Sequence, residues 1–223
     1  MTKEYDRLIK VYQSSDNLNT EDNWDAFHDF HKGILNYPPK FKYISQELLN
    51  LENKNAKVLE IACGYGFLLK QIKTDHPDFQ VEGMDFSKIV IDFINSKGLL
   101  AKKGIIPNDL KNYSNYDAVI GTEILEHLSE SDRIKTLKEV YRILNKGGKA
   151  IFTVPNNVLT PKEERFHLTC FNQKTFKELL SQVFNLCGVV QRRFLVSDNP
   201  HPAGLNWGEC PFLIGVCYKG YEN

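Results

Sequence analysis

From Lys57 onward, the chain alternates short apolar runs of β type with amphipathic stretches of helical type. This alternation constrains the fold most, because strand–helix–strand units pack as a parallel sheet with right-handed crossovers and helices on both faces. The expected strands are Val58–Ile61, Gln80–Met84, a weak run near Leu99–Ile105, Ala118–Ile120 and Ala150–Val154. The expected helices are Phe67–Lys73, Ile89–Ser96, Arg133–Leu144, which ends at an Asn-Lys-Gly-Gly stop, and Gln173–Phe184.

Two further β-type runs, Leu186–Val196 and Pro211–Tyr218, follow the last helix. Their connection contains Pro200, Pro202 and two glycines instead of a helix, which favours antiparallel pairing at the sheet edge. The sequence therefore predicts an α/β fold: a doubly wound, mostly parallel seven-stranded sheet with a C-terminal antiparallel edge hairpin. Residues 1–52 mix aromatic and polar side chains and are expected to form a helical cap on a Rossmann-like core over 53–223, all within one domain.

The charge balance argues against nucleic acid as a partner. Lys plus Arg and Asp plus Glu number 28 each, so the formal net charge is zero and no basic field attracts phosphates. No apolar run approaches the roughly 18 residues of a membrane-spanning helix, and no signal peptide is evident, so we expect no membrane insertion. Five cysteines without a CxxC pair indicate reduced thiols and a cytoplasmic protein. The oligomeric state is left open.

A glycine turn follows the first predicted strand. Gly64 and Gly66 allow the backbone to approach a ligand closely, and ligands of open α/β sheets bind at the carboxyl ends of strands. Such a turn can also serve packing alone. Asp85, which ends the next strand, adds a carboxylate that can accept both hydroxyls of an adenosine ribose. Nicotinamide-binding folds share this geometry, but the third glycine that they require is Leu69 here.

Together these residues resemble the class I S-adenosylmethionine methyltransferases, in particular the branch that contains the ubiquinone-biosynthesis O-methyltransferases. The resemblance extends from about Lys57 to Asn185. Its motifs are the glycine turn over 60–66, Asp85-Phe86-Ser87, the strand over 116–120, Glu123-Ile-Leu-Glu-His-Leu128, and the stop over 144–148 with the strand and Pro155-Asn156 that follow.

The resemblance implies S-adenosylmethionine as the methyl donor. Glu60, Gly64 and Gly66 would contact its methionine part, Asp85 its ribose and Phe86 its adenine. The complete set of candidate cofactor-binding residues is Glu60, Ala62, Gly64, Gly66, Asp85, Phe86, Ile105 and Thr122.

Two positions in this set depart from the family pattern. Ala62 replaces the first glycine of the family's turn, a small change that should preserve the turn. Ile105 stands, by spacing, where the family often has an acid near the adenine amine, and Asp109 is the nearest alternative. We therefore expect the ribose end of the site to match the family more closely than the adenine end.

The segment after the fourth strand offers a second group of polar residues. Glu123, Glu126 and His127 would project from one face, beside the methyl donor, if a helix begins at Glu123. Three interpretations remain open. Glu123 could simply favour a helix N-terminus while His127 packs; His127 or Glu126 could be a catalytic general base; or the three could join His167 to bind a divalent metal, as in metal-dependent members of the family. Two carboxylates with two imidazoles suit Mn, Fe, Co or Zn better than Mg.

The leading functional hypothesis is an enzyme that transfers a methyl group from S-adenosylmethionine to a hydroxyl of a small-molecule acceptor. The alternatives are a metal-dependent RNA 2′-O-methyltransferase, an NAD(P)-dependent reductase and a binding protein without turnover. The N-terminal segment and the loops over 156–171 and 197–210 are expected to shape the acceptor pocket. Candidate acceptor contacts are Trp24, Tyr37, His167, His201 and Trp207.

Overall fold

The computed structural model describes residues 19–30, 38–156, 166–195 and 209–220. The helices are α1 (Glu21–Phe30), α2 (Pro38–Gln46), α3 (Phe67–Asp75), α4 (Lys88–Ser96), α5 (Glu130–Ile143) and α6 (Gln173–Ser181), with 3₁₀ turns at Asn108–Asn112 and Leu125–His127. The strands are β1 (Lys57–Ile61), β2 (Gln80–Asp85), β3 (Leu100–Lys103), β4 (Tyr116–Thr122), β5 (Leu144–Pro155), β6 (Leu186–Leu195) and β7 (Glu209–Tyr218).

These strands form one seven-stranded sheet in the order β3-β2-β1-β4-β5-β7-β6. Neighbouring strands from β3 to β5 pair in parallel, whereas β7 pairs antiparallel with both β5 and β6. The predicted mostly parallel sheet with an antiparallel C-terminal hairpin is confirmed. Because β7 enters between β5 and β6, the edge strand on this side is β6.

Helices cover both faces of the sheet, as expected for a doubly wound fold. On one face, apolar residues of α5 and α6 pack with β1, β4 and β5 in the largest core cluster, which includes Leu137, Phe176 and Phe152. On the other face, α2 and α3 contribute Ile44 and Leu68 to a second cluster. The central strands are buried on both faces, which explains their nearly continuous apolar sequences.

Local sequence signals explain where the helices begin. The Ser129 side chain accepts a hydrogen bond from the Asp132 amide and caps α5, and Asn172 with Thr175 forms a capping box at α6. Two elements end earlier than the sequence predicted. Helix α6 ends at Ser181 and not at Phe184, and β3 ends at Lys103 and not at Ile105.

The structure also bears on the predictions for the cysteines and for membrane spans. Cys63, Cys170, Cys187 and Cys217 are free. Among the described residues, no helix is both long and apolar enough to cross a bilayer. The division into a cap over 1–52 and a core over 53–223 stays a prediction.

Candidate functional site

The carboxyl ends of β1, β2 and β4 bring the predicted site residues to one edge of the sheet. Ile61 pairs with Met84 of β2 on one side and with Gly121 of β4 on the other, so the turns that follow these three strands are neighbours. This is the position where open α/β sheets bind ligands. The site is therefore built from three loops that the parallel register sets side by side.

The glycine turn after β1 has left-handed backbone at three positions. Ala62, Gly64 and Gly66 have φ angles of 54°, 48° and 70°. The Gly66 amide donates to the carbonyl of Cys63 at 2.9 Å, and α3 begins at the next residue. Ala62 is the exception in this turn, because a Cβ clashes with its own backbone in the left-handed region.

Ala62→Gly is expected to stabilise the protein by about 0.5 kcal/mol. The change relieves about 1–2 kcal/mol of left-handed strain, and the extra freedom of glycine in the unfolded chain offsets roughly half of that gain. Urea denaturation measures the difference. Asn115→Gly, at a φ of 61°, is the matched control and should gain less, because asparagine tolerates this region. A loss of stability in Ala62→Gly would contradict the assignment of strain.

Asp85 joins the glycine turn to the end of β2. Its Oδ2 accepts a hydrogen bond from the Gly64 amide at 3.0 Å, and its Oδ1 accepts one from the Ser87 amide at 2.9 Å. The side chain is only 4% exposed, and burial raises the pKa of Asp85 to about 6, against the opposing effect of these amides. The two features linked by spacing in the sequence are thus in direct contact.

Glu60 lies beneath the same turn, on β1. It is 2% exposed, and burial, with the nearby Asp85 carboxylate, raises its pKa well above the ordinary value. The Leu69 amide donates to the carboxylate, yet Oε2 is buried and has no hydrogen-bond partner among the described residues. A buried carboxyl oxygen of this kind is suited to a ligand that brings its own donor.

The adenine end of the site differs from the ribose end. Phe86 is half-buried after Asp85, and Thr122 is half-buried at the end of β4. Ile105 is 53% exposed beyond the end of β3, and its amide donates to Oδ2 of Asp109 at 2.8 Å. The carboxylate of Asp109, the alternative acid named from the sequence, therefore lies beside the backbone of Ile105.

Glu123 does not begin a helix. Its φ of 52° is left-handed, and the 3₁₀ turn begins only at Leu125, so the expectation of one shared helical face is wrong. The Glu123 Oε1 instead accepts a hydrogen bond from the Thr153 hydroxyl at 2.6 Å and lies 3.4 Å from the ammonium of Lys40. The strained backbone turns this carboxylate toward β5 and α2.

Glu126, His127 and His167 form a compact group without Glu123. One candidate ligand atom from each lies within 4.8 Å of the others. The Glu126 side chain is 1% exposed, and its Oε1 is 3.9 Å from His127 Nε2. His127 Nδ1 lies 2.8 Å from the Phe166 carbonyl oxygen, so Nδ1 carries the proton and donates, and Nε2 keeps its lone pair.

Both imidazoles of this group are held neutral. Burial, together with His167, lowers the pKa of His127 to about 3, and burial lowers the pKa of His167 to about 4. An imidazole with so low a pKa is a weak general base near neutral pH, but its lone pair remains available. His127 is therefore poorly suited to proton abstraction near pH 7.

Backbone hydrogen bonds fix the segment that carries His167. The Glu126 carbonyl accepts from the amides of Leu168 at 2.8 Å and Thr169 at 3.2 Å. Arg133 of α5 donates to the Leu128 carbonyl and to the Thr169 hydroxyl. The turn after β4 and the segment over 166–169 therefore form one unit.

The N-terminal helix α1 contributes site residues that sequence reasoning missed. Asp25 accepts a short hydrogen bond from the Ser87 hydroxyl, and the backbone carbonyl of His28 accepts one from the Tyr65 hydroxyl at 2.9 Å. Trp24, a candidate from the sequence, packs edge-on against His127 with ring centroids 4.9 Å apart. No local pattern marks Asp25 or His28. Their roles arise from packing against turns that are distant in sequence.

Lys40 of α2 is 1% exposed, beside Glu123 and 4.1 Å above the Phe212 ring, and no sequence signal identified it. The candidates Tyr37, His201 and Trp207 lie outside the described residues.

Comparison with known proteins agrees with this geometry. Residues 58–148 match the model of a family described as a methyltransferase domain, a range that begins in β1 and ends in β5. The ubiquinone biosynthesis O-methyltransferase of Pelagibacter ubique is 28% identical over 171 residues, which cover 70% of this chain and 66% of that protein. Over this range the chain is similar to the class I S-adenosylmethionine-dependent methyltransferases. The family resemblance found in the sequence is confirmed.

Other methyltransferases match the chain over different parts of their length. The malonyl-[acyl-carrier protein] O-methyltransferase of Priestia megaterium is 24% identical over 137 residues, which cover 60% of this chain and only 47% of that protein. The chain thus spans between about half and two thirds of these relatives. A crystal structure of an S-adenosylmethionine-dependent methyltransferase from Archaeoglobus fulgidus shares the fold with a TM-score of 0.64 at 16% identity, covering 86% of this chain and 99% of that one.

Proposed function

We propose that this protein is an S-adenosylmethionine-dependent methyltransferase that methylates a hydroxyl group of a small molecule. The observation that carries the proposal is the hydrogen bond between the Gly64 amide and Asp85, because it places a carboxylate acceptor against the glycine turn at the carboxyl edge of the sheet. The reductase alternative loses its support, because residues 58–148 match a methyltransferase domain and Leu69 occupies the third glycine position.

The residues present fit the cofactor that this family uses. Asp85 would accept the ribose hydroxyls, and the buried Oε2 of Glu60 would accept a donor from the methionine ammonium. The glycine turn leaves room for the chain that connects them, and Phe86 would pack on the adenine. When bound, S-adenosylmethionine supplies an electrophilic methyl group on its sulfonium sulfur.

The acceptor is proposed to lie over the turn after β4. As the acceptor oxygen takes the methyl group that the bound cofactor would supply, its hydroxyl proton would pass to a base of this chain. Glu126 and His127 are our candidates for that role, with Glu126 favoured because of the low pKa of His127. Trp24 and Phe166, which pack against each other with centroids 5.1 Å apart, would exclude water from the acceptor side.

A metal-assisted version of this reaction is the second proposal. Glu126, His127 and His167 would hold a divalent transition metal, and the Nδ1 hydrogen bond of His127 to the Phe166 carbonyl is the support that metal-bound histidines usually have. One carboxylate and two neutral imidazoles suit Mn, Fe, Co or Zn. Such an ion would act as a Lewis acid that lowers the pKa of the acceptor hydroxyl.

Calorimetric titration with MnCl₂ alone tests the metal proposal. We expect saturable binding to the wild type and a loss of at least about tenfold in affinity for Glu126→Gln and His167→Ala, because each removes one ligand of three. Glu123→Gln is the discriminating variant and should bind Mn²⁺ like the wild type, since Glu123 is engaged with Thr153 and Lys40. Equal weakening by Glu123→Gln would contradict the three-residue site, and absence of binding would exclude the metal.

Transfer of a radiolabelled methyl group tests the acceptor class. Purified protein is incubated with methyl-labelled S-adenosylmethionine and panels of phenols, hydroxylated carboxylic acids, amines and RNA. Base-stable labelling of a hydroxyl compound supports the proposal. Labelling of amines would contradict O-transfer, whereas labelling of RNA that falls steeply with salt would favour the RNA alternative.

A further inference from the structure

An imidazole of helix α1 lies directly over the glycine turn. A Cβ built on Gly64 would be 3.8 Å from Cε1 of His28, which is van der Waals distance. Cε1 stands between the two ring nitrogens, so Nδ1 is one bond from this contact. Gly64 is also the residue whose amide donates to Asp85. The His28 ring therefore lies against the residue of the turn that contacts the proposed ribose carboxylate, Asp85.

His28 carries an unsatisfied polar atom in this position. The residue is 8% exposed, and its Nδ1 is buried with no hydrogen-bond partner among the described residues. Burial lowers the pKa of His28 to about 4, against the opposing effect of Asp25, so the ring is neutral at pH 7. An unpaired buried nitrogen is costly in a folded protein, and its presence calls for an explanation such as a missing binding partner.

The surroundings hold the His28 ring in place. The His28 carbonyl accepts a hydrogen bond from the buried Tyr65 hydroxyl at 2.9 Å, and the two rings meet edge-on with centroids 5.6 Å apart. Asp25, on the same helix, accepts from the Ser87 hydroxyl, and Glu21 pairs with Lys103 at 2.5 Å. These contacts tie α1 to Tyr65 and Ser87, just beyond the ends of β1 and β2, and to Lys103, the last residue of β3. The imidazole is consequently held beside the turn by a fixed scaffold.

We propose that His28 is a cofactor-binding residue whose Nδ1 exchanges a hydrogen bond with the aminoacyl or ribose portion of the bound nucleoside. This inference rests on the proposed function. A neutral imidazole nitrogen either accepts from an ammonium or hydroxyl or donates to a carboxylate, and the aminoacyl-nucleoside offers all three groups. The N-terminal helix then belongs to the cofactor site itself, and not only to the acceptor pocket.

Two substitutions separate binding from packing. His28→Phe keeps the planar ring but has no polar atom, whereas His28→Asn places an amide near the position of Nδ1. We expect calorimetry with S-adenosylhomocysteine to give about 3- to 10-fold weaker binding for His28→Phe, the effect of one lost hydrogen bond, and substantial recovery for His28→Asn. The ligand-free melting temperature of His28→Phe should equal or exceed that of the wild type, because the change removes an unsatisfied buried group.

His76→Phe is the matched control, since His76 Nε2 is already bonded to the Ser45 carbonyl at 2.9 Å, away from the turn. Its affinity for S-adenosylhomocysteine should be unchanged. Equal affinity of wild type and His28→Phe for S-adenosylhomocysteine would overturn the inference. A lowered ligand-free melting temperature of His28→Phe, with no recovery of affinity in His28→Asn, would also overturn it. Failure of the wild type to bind S-adenosylhomocysteine would instead overturn the proposed function on which the inference rests.

Discussion

Asp85→Asn is expected to weaken the binding of S-adenosylhomocysteine by about 10- to 150-fold. The carboxylate is proposed to accept both ribose hydroxyls, and a hydrogen bond to a charged group contributes about 1.5–3 kcal/mol. The amide keeps the shape of the side chain but offers one acceptor oxygen and no charge. Calorimetry measures the change. Asp92→Asn, at an exposed carboxylate on α4, is the control and should bind like the wild type. Equal affinity of Asp85→Asn would exclude the ribose role.

The pH dependence of binding provides an independent signature of Asp85. Because its pKa is about 6 in the ligand-free protein, the carboxyl is ionised at pH 7.5 and becomes protonated as the pH falls through 6. We therefore expect the affinity to fall below pH 6, approaching about tenfold per pH unit, and this fall should be absent in Asp85→Asn. The contribution of Asp85 to folding stability has the opposite pH dependence. Because its pKa is raised in the folded protein, Asp85 favours the folded state most below pH 4, and this contribution is lost as the pH rises through 6.

Phe176→Ala is expected to lower the free energy of unfolding by about 3–5 kcal/mol, since the ring is fully buried and its loss leaves a cavity. Phe176 packs on Phe171 with centroids 5.6 Å apart and lies against Gly215 of β7, where a Cβ would meet it at 3.2 Å. That close approach shows how tightly α6 is seated on the sheet.

Urea denaturation of Phe176→Ala alongside Lys177→Ala checks this effect. Lys177 is the adjacent, exposed residue of the same helix, and its replacement should change stability by no more than about 0.5 kcal/mol. Similar costs for the two variants would show that α6 does not close the core in solution.

The sequence was sufficient for the parts of the site that depend on short-range patterns. The spacing of the glycine turn and Asp85 follows from one strand–helix–strand unit, so their contact could be predicted from periodicity and the family resemblance. The same holds for the sheet, because apolar runs bounded by turn residues mark buried strands. These signals lie within one strand or one strand–helix–strand unit.

The sequence could not place residues that meet through tertiary packing. Glu123 fits the i, i+3 spacing, but the exit from β4 forces it into left-handed backbone, and Lys40 and Thr153 hold its carboxylate instead. His28 is separated from Tyr65 by 37 positions, and no periodic pattern relates the two. Contacts between a terminal helix and a loop depend on the path of the whole chain.

The central claim is that the turn over 62–66 and Asp85 bind S-adenosylmethionine. The most direct measurement is calorimetric titration of the purified protein with S-adenosylhomocysteine, in parallel with NADH and NADPH. We predict saturable binding of S-adenosylhomocysteine, weakened in Asp85→Asn, and no saturable binding of either dinucleotide. Absence of S-adenosylhomocysteine binding, or tighter binding of a dinucleotide, would contradict the account.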